Sequence, residues 1–178
     1  MDKKQMSLKD FCEINPQITL KKDSIAKKIA MADLPHFSRN IMKYTLEKYS
    51  GGTKFQNGDT LMARITPCLE NGKGGFVDIL TGNEVAFGST EYIIFRAKES
   101  VSEPEFLYYF VNTREFKDIA IKSMTGTSGR QRVQTEQLAN KEFCFPDYEA
   151  QKKISLILGA FDKKIKLNNK LNDNLVAT

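Results

Sequence analysis

The fold is decided in the stretch from residue 142 to residue 154, which reads EFCFPDYEAQKKI. Before Pro146, short apolar runs are interrupted every few residues by Gly, Pro, Asn and Thr; after it the chain contains no Pro and a single glycine, Gly159. Interrupted runs are typical of strands and short helices, whereas an uninterrupted apolar and charged segment is typical of one long helix. The sequence therefore predicts a mixed α/β (α+β) domain over residues 1–146 and a long helix over residues 147–178.

The tail carries an apolar repeat that predicts a coiled coil. Steps of four and three residues alternate along it, as they do at the a and d positions of heptads. The positions of this seam are Ile154, Leu158, Phe161, Ile165, Asn168, Asn172 and Leu175. A helix of about thirty residues would be roughly 45 Å long, so most of it should project from the domain and pair with another helix. A helix folded back on its own domain is the alternative.

Apolar patterns and turn residues predict one small twisted sheet, with helices, in the first part of the chain. Its strands are expected over Ile29–Leu34, Thr60–Ile65, Gly75–Leu80 and Glu91–Arg96. A helix is expected to begin at Ser102, with that serine as the cap and Pro104 in the first turn. Further along the chain, we expect a helix over Arg114–Ile121, a helical turn over Thr135–Leu138 and a strand over Glu142–Phe145.

Composition narrows the class of protein. The chain has 178 residues, 40% hydrophobic and 28% charged, which suits one globular domain with an appendage. Three cysteines and one histidine supply neither a disulfide framework nor a Cys/His zinc site, so a reducing cytoplasm is expected. No apolar run approaches the ~20 residues of a membrane span and no signal-peptide core is present, which predicts a protein that is neither exported nor embedded in a membrane. The net charge of +5 permits a polyanionic partner.

Sequence motifs of enzymes are missing or incomplete. The stretch 72–75, GKGG, has neither the Walker spacing nor the dinucleotide-binding spacing. The stretch 15–18, NPQI, lacks the second proline and the aromatic residue of methyltransferases that act on base amino groups. His36 has no evident partner for a catalytic triad and is interpreted as a loop residue. These observations predict a binding module without a metal, a cofactor or catalytic residues of its own.

Three polar segments carry side chains that suit nucleic-acid binding: 64–73 (RITPCLENGK), 88–91 (GSTE) and 125–132 (TGTSGRQR). Arginine pairs with guanine and glutamine with adenine, glutamate accepts from cytosine, and hydroxyl groups bind phosphates. Lysines are expected to anchor phosphates. The predicted DNA-binding residues are Lys21, Lys22, Arg64, Thr66, Asn71, Lys73, Ser89, Thr90, Glu91, Ser128, Arg130, Gln131 and Arg132. For the segment 125–132, a solvated turn between helices is the alternative.

In their order and spacing, these motifs resemble the specificity (S) subunit of type I restriction-modification systems. The resemblance begins at the opening 8–11, LKDF, and runs to the end of the chain. The motifs that carry it are 58–67 (GDTLMARITP), 72–74 (GKG), 88–92 (GSTEY), 128–132 (SGRQR), and Pro146 with 149–154 (EAQKKI).

The resemblance implies that residues 1–146 form a target-recognition domain and residues 147–178 a spacer helix. In that family a full subunit has two such domains, each reading one half of a bipartite DNA site, and their spacer helices pair antiparallel. The subunit is itself non-catalytic. It docks methylation (M) subunits, which bind S-adenosylmethionine, and motor/nuclease (R) subunits join through them.

This sequence holds one recognition domain and one helix, where the family pattern has two of each. It is therefore expected to be a half-subunit that pairs with a second copy, or a truncated half that pairs with a second recognition domain. The alternative from another class is the recognition-domain fragment of a DNA adenine methyltransferase whose catalytic domain lies elsewhere. A helical adaptor with a purely structural globular part is a third interpretation.

Overall fold

The computed structural model describes the backbone of residues 3–176 and the side chains of residues 3–172. The strands in this part are β1 (Lys3–Ser7), β2 (Cys12–Ile14), β3 (Ile25–Ile29), β4 (Thr45–Lys48), β5 (Thr53–Phe55), β6 (Thr60–Ala63), β7 (Gly74–Phe76), β8 (Ala86–Gly88), β9 (Tyr92–Ala97) and β10 (Glu142–Pro146). The helices are α1 (Leu8–Phe11), α2 (Pro104–Val111), α3 (Arg114–Lys122), α4 (Thr135–Ala139) and α5 (Tyr148–Val176). The mixed α/β class with a long C-terminal helix is confirmed.

The strands divide among three sheets instead of the one sheet expected. One four-stranded sheet has the order β2-β9-β6-β7, a second has the order β4-β3-β8-β5, and β1 pairs with β10 in a two-stranded ribbon. Strands β5 and β8 have three residues each, and they pair across a long sequence separation, with Thr53 opposite Gly88. Such short strands carry too little periodicity to be recognised locally, because their register is set by partners distant in sequence.

Strands β6 and β9 lie between two hydrophobic cores. In β9, Ile93 and Phe95 belong to the core that also holds the helices α1 to α4 and strand β10, whereas Ile94 belongs to the core between the sheets. In β6, Met62 and Leu61 divide between the two cores in the same way. A strand covered on both faces is largely apolar, which is why the presence of these two strands was predicted from the sequence. The prediction for β6 ran two residues too far, to Ile65, and that for β9 began and ended one residue too early.

One strand prediction is misplaced and another runs too far. The strand expected over Ile29–Leu34 shares only Ile29 with β3, and the strand expected over Gly75–Leu80 shares only residues 75–76 with β7. The chain does not continue as a strand through residues 30–34, because the backbone turns there: the Asp33 carboxylate accepts from Ala30 N at 3.1 Å and Asp33 N donates to Ala30 O at 2.9 Å. A side chain that binds nearby backbone in this way favours a turn over a strand. Strand β7 ends at Phe76, since Val77 N donates to Asp59 O and the chain leaves the sheet.

The start of α2 differs from the sequence prediction by one residue. Glu103 is the cap, and its carboxylate accepts from Phe106 N at 2.6 Å. Ser102, predicted as the cap, is buried, and its hydroxyl accepts from Lys98 N at 2.8 Å. A carboxylate at this position also interacts favourably with the positive end of the helix dipole.

The first half of α5 is docked on the domain and the second half projects. Asp147 accepts from Ala150 N at 2.8 Å at the beginning of the helix, and Tyr109 donates to Asp162 at 2.6 Å at the end of the docked part. Ile154 packs against the first core, so this first seam position is engaged within the chain. Beyond Asp162 the described seam side chains are exposed. The side chain of Leu175 and residues 177–178 lie outside the described part of the chain.

The helices of the described residues include none that is both long and apolar enough to cross a membrane.

Candidate nucleic-acid interface

The three polar segments predicted from the sequence meet at one place, around the backbone of Arg64. Arg64 N donates to Glu91 O at 2.9 Å, and Arg64 O accepts from Val133 N at 3.0 Å. The chain immediately after β6 thereby runs between the segment 88–91 and the segment 125–132. Residues that are far apart in the sequence form one surface, as the DNA-binding interpretation requires.

A second set of hydrogen bonds joins the segments 64–73 and 125–132. Thr66 N donates to Gln131 O at 3.0 Å, and the Thr66 hydroxyl accepts from Gln131 N at 3.1 Å. Ile65 and Arg132 form an isolated bridge. Thr66 is only 8% exposed, so it holds the two loops together and has little surface to offer a ligand.

Glu91 and Arg132 are bound to each other. Arg132 Nε donates to both carboxylate oxygens of Glu91 at 2.9 and 3.0 Å, and Arg132 Nη2 donates to Oε1 at 2.7 Å. This bidentate arrangement is among the stronger ion-pair geometries, and it raises the pKa of Arg132. The remaining Nη1 makes a long contact of 3.4 Å to Arg130 O. This ion pair joins the segment 88–91 to the segment 125–132.

Other predicted residues support these loops. The Lys73 ammonium donates to Met31 O at 2.6 Å, and the Ser89 hydroxyl accepts from Glu91 N at 3.1 Å. His36 Nδ1 donates to Asn71 O at 2.9 Å, which ties the loop after Pro35 to the segment 64–73. These bonds determine where the loops lie, and they use the Lys73 group that was expected to anchor phosphate.

The predicted residues with exposed side chains are fewer. Asn71, Thr90, Ser128 and Arg130 are exposed, and Gln131 is half-buried. Within residues 3–172, the side chains of this set form no ion pair and no hydrogen bond. Their donors and acceptors are therefore available to a ligand.

Lys21 and Lys22 lie apart from this cluster. Both are exposed, in the turn that leads into β3, where Ser24 donates to Lys21 O at 2.6 Å. No hydrogen bond or ion pair in the described part connects them to the three polar segments. The structure therefore assembles the loop residues into one surface but does not bring these two lysines to it.

Sequence reasoning missed one side of this surface. A groove of about 200 Å³, here called the Arg64 groove, is lined by residues 15–17, residues 52–54, Arg64, Thr90 and Tyr92. Arg64 Nε is buried there without a hydrogen-bond partner. Lys54 lies on the short strand β5, and an isolated lysine in a three-residue strand gives no motif that a sequence pattern could detect. Asn15 adopts a positive φ of 51°, and the preference of Asn for this region was the available signal for a turn at that position.

Within the described residues, no group of three or more His, Cys, Asp and Glu side chains is placed to hold a metal ion. The Cys12 thiol is buried, and burial raises its pKa well above the ordinary value, so it stays protonated. The titratable groups of the interface are thus mainly arginine, lysine and a paired glutamate. Such a set provides charge and hydrogen bonds for holding a polyanion.

Comparison with known proteins places the chain in a family. Residues 1–177 match the family model of the type I restriction modification DNA specificity domain. The Escherichia coli EcoAI specificity subunit is 28% identical over 155 residues, which cover 83% of this chain and 26% of that protein. The Escherichia coli EcoEI specificity subunit is 28% identical over 173 residues, covering 93% of this chain and 28% of that protein.

A solved structure supports the fold. The HsdS subunit from Thermoanaerobacter tengcongensis superimposes with a TM-score of 0.71 at 17% identity, over 97% of this chain and 45% of that one. The chain thus spans about a quarter of the length of the two E. coli relatives and less than half of this structural neighbour. A fragment of a DNA adenine methyltransferase is not favoured by these comparisons. The match over nearly the whole chain shows that this protein belongs to the type I restriction modification DNA specificity domain family.

Proposed function

We propose that this chain recognises one half of a bipartite DNA site in sequence-specific fashion and is itself non-catalytic. The observation that carries the proposal is the convergence of three polar segments around Arg64, which puts unpaired donors on one surface. Family membership supports the same conclusion. The surface offers the arginine, glutamine and hydroxyl groups with which proteins read base edges and hold phosphates.

The proposed role of each residue depends on whether its side chain already forms a hydrogen bond within the protein. Ser128, Arg130 and Gln131 lie on a loop with unpaired side chains, so base reading is assigned to them, together with Thr90 and Asn71. Glu91, Arg132, Thr66, Lys73 and Ser89 are assigned to holding the loops. Lys21 and Lys22 are proposed to bind phosphates farther along the duplex, because their ammonium groups are exposed.

The partners are proposed from the family and from the helix α5. The exposed seam side chains beyond Asp162 would pair antiparallel with the helix of a second recognition domain or of a second copy. Methylation subunits would dock on this assembly and supply S-adenosylmethionine, and motor/nuclease subunits would join them. In this proposal the chain supplies the choice of sequence and its partners supply the chemistry.

Selection from a random duplex library tests the proposal. We expect the purified chain to enrich one short sequence, and Arg130→Ala or Gln131→Ala to weaken binding to that sequence by about 1 to 3 kcal/mol while binding to unrelated duplexes changes much less. Lys163→Ala on α5 is the control, because that side chain is exposed and lies on a helix that carries none of the three polar segments. A chain that binds no duplex at low salt, or that enriches no sequence, contradicts the proposal.

A further inference from the structure

We infer that the Arg64 groove binds a phosphate group of the DNA backbone, with Arg64 and Lys54 as its cations. The inference rests on the proposed function and adds the chemical group that is bound. It also adds Lys54, a residue that no sequence motif indicates.

The Arg64 side chain has an unsatisfied hydrogen-bond donor in this groove. Arg64 Nε is buried without a partner, and the rest of its guanidinium forms no hydrogen bond within the described residues. Leaving a buried donor unpaired disfavours folding, so such a group in a groove indicates that a ligand supplies the acceptor. A guanidinium presents two parallel N–H groups, the geometry that fits two oxygens of a phosphate.

The side chains that line the groove carry a positive charge. Its lining contains two cations, Arg64 and Lys54, and no carboxylate. Glu91 is the next residue after Thr90 in this lining, but its carboxylate is bound on both oxygens by Arg132. The charge of the Glu91 carboxylate is therefore compensated by Arg132. The groove is left with an uncompensated positive charge, which an anion would neutralise.

The shape of the Arg64 groove also suits a phosphate. The Arg64 groove is a recess, and in a duplex the phosphates project outward whereas the base edges lie within the grooves. A recess therefore receives a phosphate, while base edges are reached by exposed side chains such as Arg130. This geometry assigns Arg64 and Arg130 to different groups on the DNA.

The walls of the groove are held in place by close backbone packing. Gly52 has a φ of +107°, and a Cβ atom there would collide with Gly88 O. The Tyr92 hydroxyl donates to Ile29 O at 3.0 Å, so the ring forms a wall and its polar group points elsewhere. Because Arg64 is fixed through both its backbone N–H and its carbonyl, the site is formed before the ligand arrives.

The test compares salt dependence across sequences, using the full chain and the sequence that it selects. We expect Arg64→Ala and Lys54→Ala each to weaken binding about 10- to 100-fold on selected and unrelated duplexes alike. Each should also lower the slope of log affinity against log salt by about one, with the sequence preference unchanged. The control Lys163→Ala should change neither quantity. Loss confined to the selected sequence would make Arg64 a base reader and overturn the inference.

A chemical double-mutant cycle locates the phosphate. Uncharged methylphosphonate linkages are placed one at a time along the duplex, and one of them should weaken binding of the wild type but not of Arg64→Ala. The inference would be overturned if the effects of the linkage and of Arg64→Ala were additive at every position. It would also be overturned if inorganic phosphate saturated the groove while Arg64→Ala left the affinity for DNA unchanged. Thermal unfolding checks that the variants fold, and Arg64→Lys, which keeps the charge, gives a second variant expected to retain part of the salt dependence. If the wild type binds no DNA, the proposed function fails instead.

Discussion

Three cationic side chains in the described part of the chain, those of Arg39, Arg64 and Lys117, have a buried nitrogen without a partner, and their surroundings assign them different roles. The terminal nitrogens of Arg39 bind Asp78 and Glu105, so its charge is compensated within the fold. Arg64 Nε lies in a groove that has a second cation and no carboxylate, which suits an anionic ligand. Lys117 Nζ lies in the wall of another cavity, which also contains Glu70, Arg114 and Asp118. Burial lowers the pKa of Lys117 to about 8. In this mixed-charge cavity, the unpaired ammonium disfavours folding and has no clear ligand.

At this scale we predict that Lys117→Met raises stability. The folded-state pKa lies below the ordinary value of 10.5, so below pH ~8 the folded protein must bury a charge that the unfolded chain exposes. The free energy of unfolding should rise by about 1 to 3 kcal/mol in the variant at pH 7, or several degrees in melting temperature. The free energy of unfolding of the wild type should increase as pH rises from about 8 toward 10.5. The difference in this free energy between the variant and the wild type should therefore become smaller. Calorimetry over this range checks it, with the exposed Lys122→Met as control; a pH-independent difference would contradict the explanation.

At the scale of elements, the side-chain amide of Gln151 is buried where α5 meets the domain, and it contributes to the position of this helix. Gln151 is 2% exposed, accepts from Glu103 N at 2.9 Å and donates to Val101 O and Pro146 O at 3.0 Å. One side chain thus connects the beginning of α2, the segment before it and the end of β10. Local patterns predicted α2, α3 and α5, because their caps and apolar spacing lie within a few residues. They could not predict this junction, because two of its three hydrogen-bond partners, Glu103 and Val101, are 48 and 50 residues away in the sequence.

We predict that Gln151→Leu loosens the helix from the domain. The substitution keeps most of the side-chain volume but leaves the two carbonyls and the Glu103 amide without partners, which should cost about 2 to 4 kcal/mol. Amide hydrogen exchange should accelerate in the first turns of α5 and of α2, and the melting temperature should fall. Lys152→Leu, on the adjacent exposed position, is the control. An unchanged exchange pattern would show that the remaining contacts, the packing of Ile154 and the hydrogen bond from Tyr109 to Asp162, are sufficient to dock the helix.

At the scale of the whole molecule, the projecting half of α5 leaves a large apolar surface in water. Phe161 is 62% exposed, Ile165 54%, Leu167 57% and Leu171 52%. Exposed apolar side chains in this number are typical of a protein-protein interface, and the heptad spacing of Phe161 and Ile165 fits a second helix. In the proposed function, the domain binds DNA and the exposed part of α5 pairs with a second helix.

We predict that the chain self-associates through this surface. Sedimentation at tens of micromolar should show a dimer for the wild type and a monomer for the double variant Phe161→Asp/Ile165→Asp. The melting profile of the domain itself should be little changed, because both side chains lie beyond its cores. Lys163→Ala and Lys164→Ala provide controls, because both side chains are also exposed and lie on the same turn. A monomeric wild type would reject self-pairing and leave pairing with a second recognition domain.

The sequence by itself determined the two-part organisation, the long helix with its seam and the three polar segments, because each depends on spacing within one short stretch. Only the tertiary structure decided which polar groups are free. Arg132 and Arg64 are indistinguishable as residue types, yet one is bound by Glu91, 41 residues away in the sequence, and the other has an unpaired nitrogen in a groove. The assembly of three sheets brings these residues together, and strand register and long-range hydrogen bonds are fixed by packing, which local periodicity does not encode.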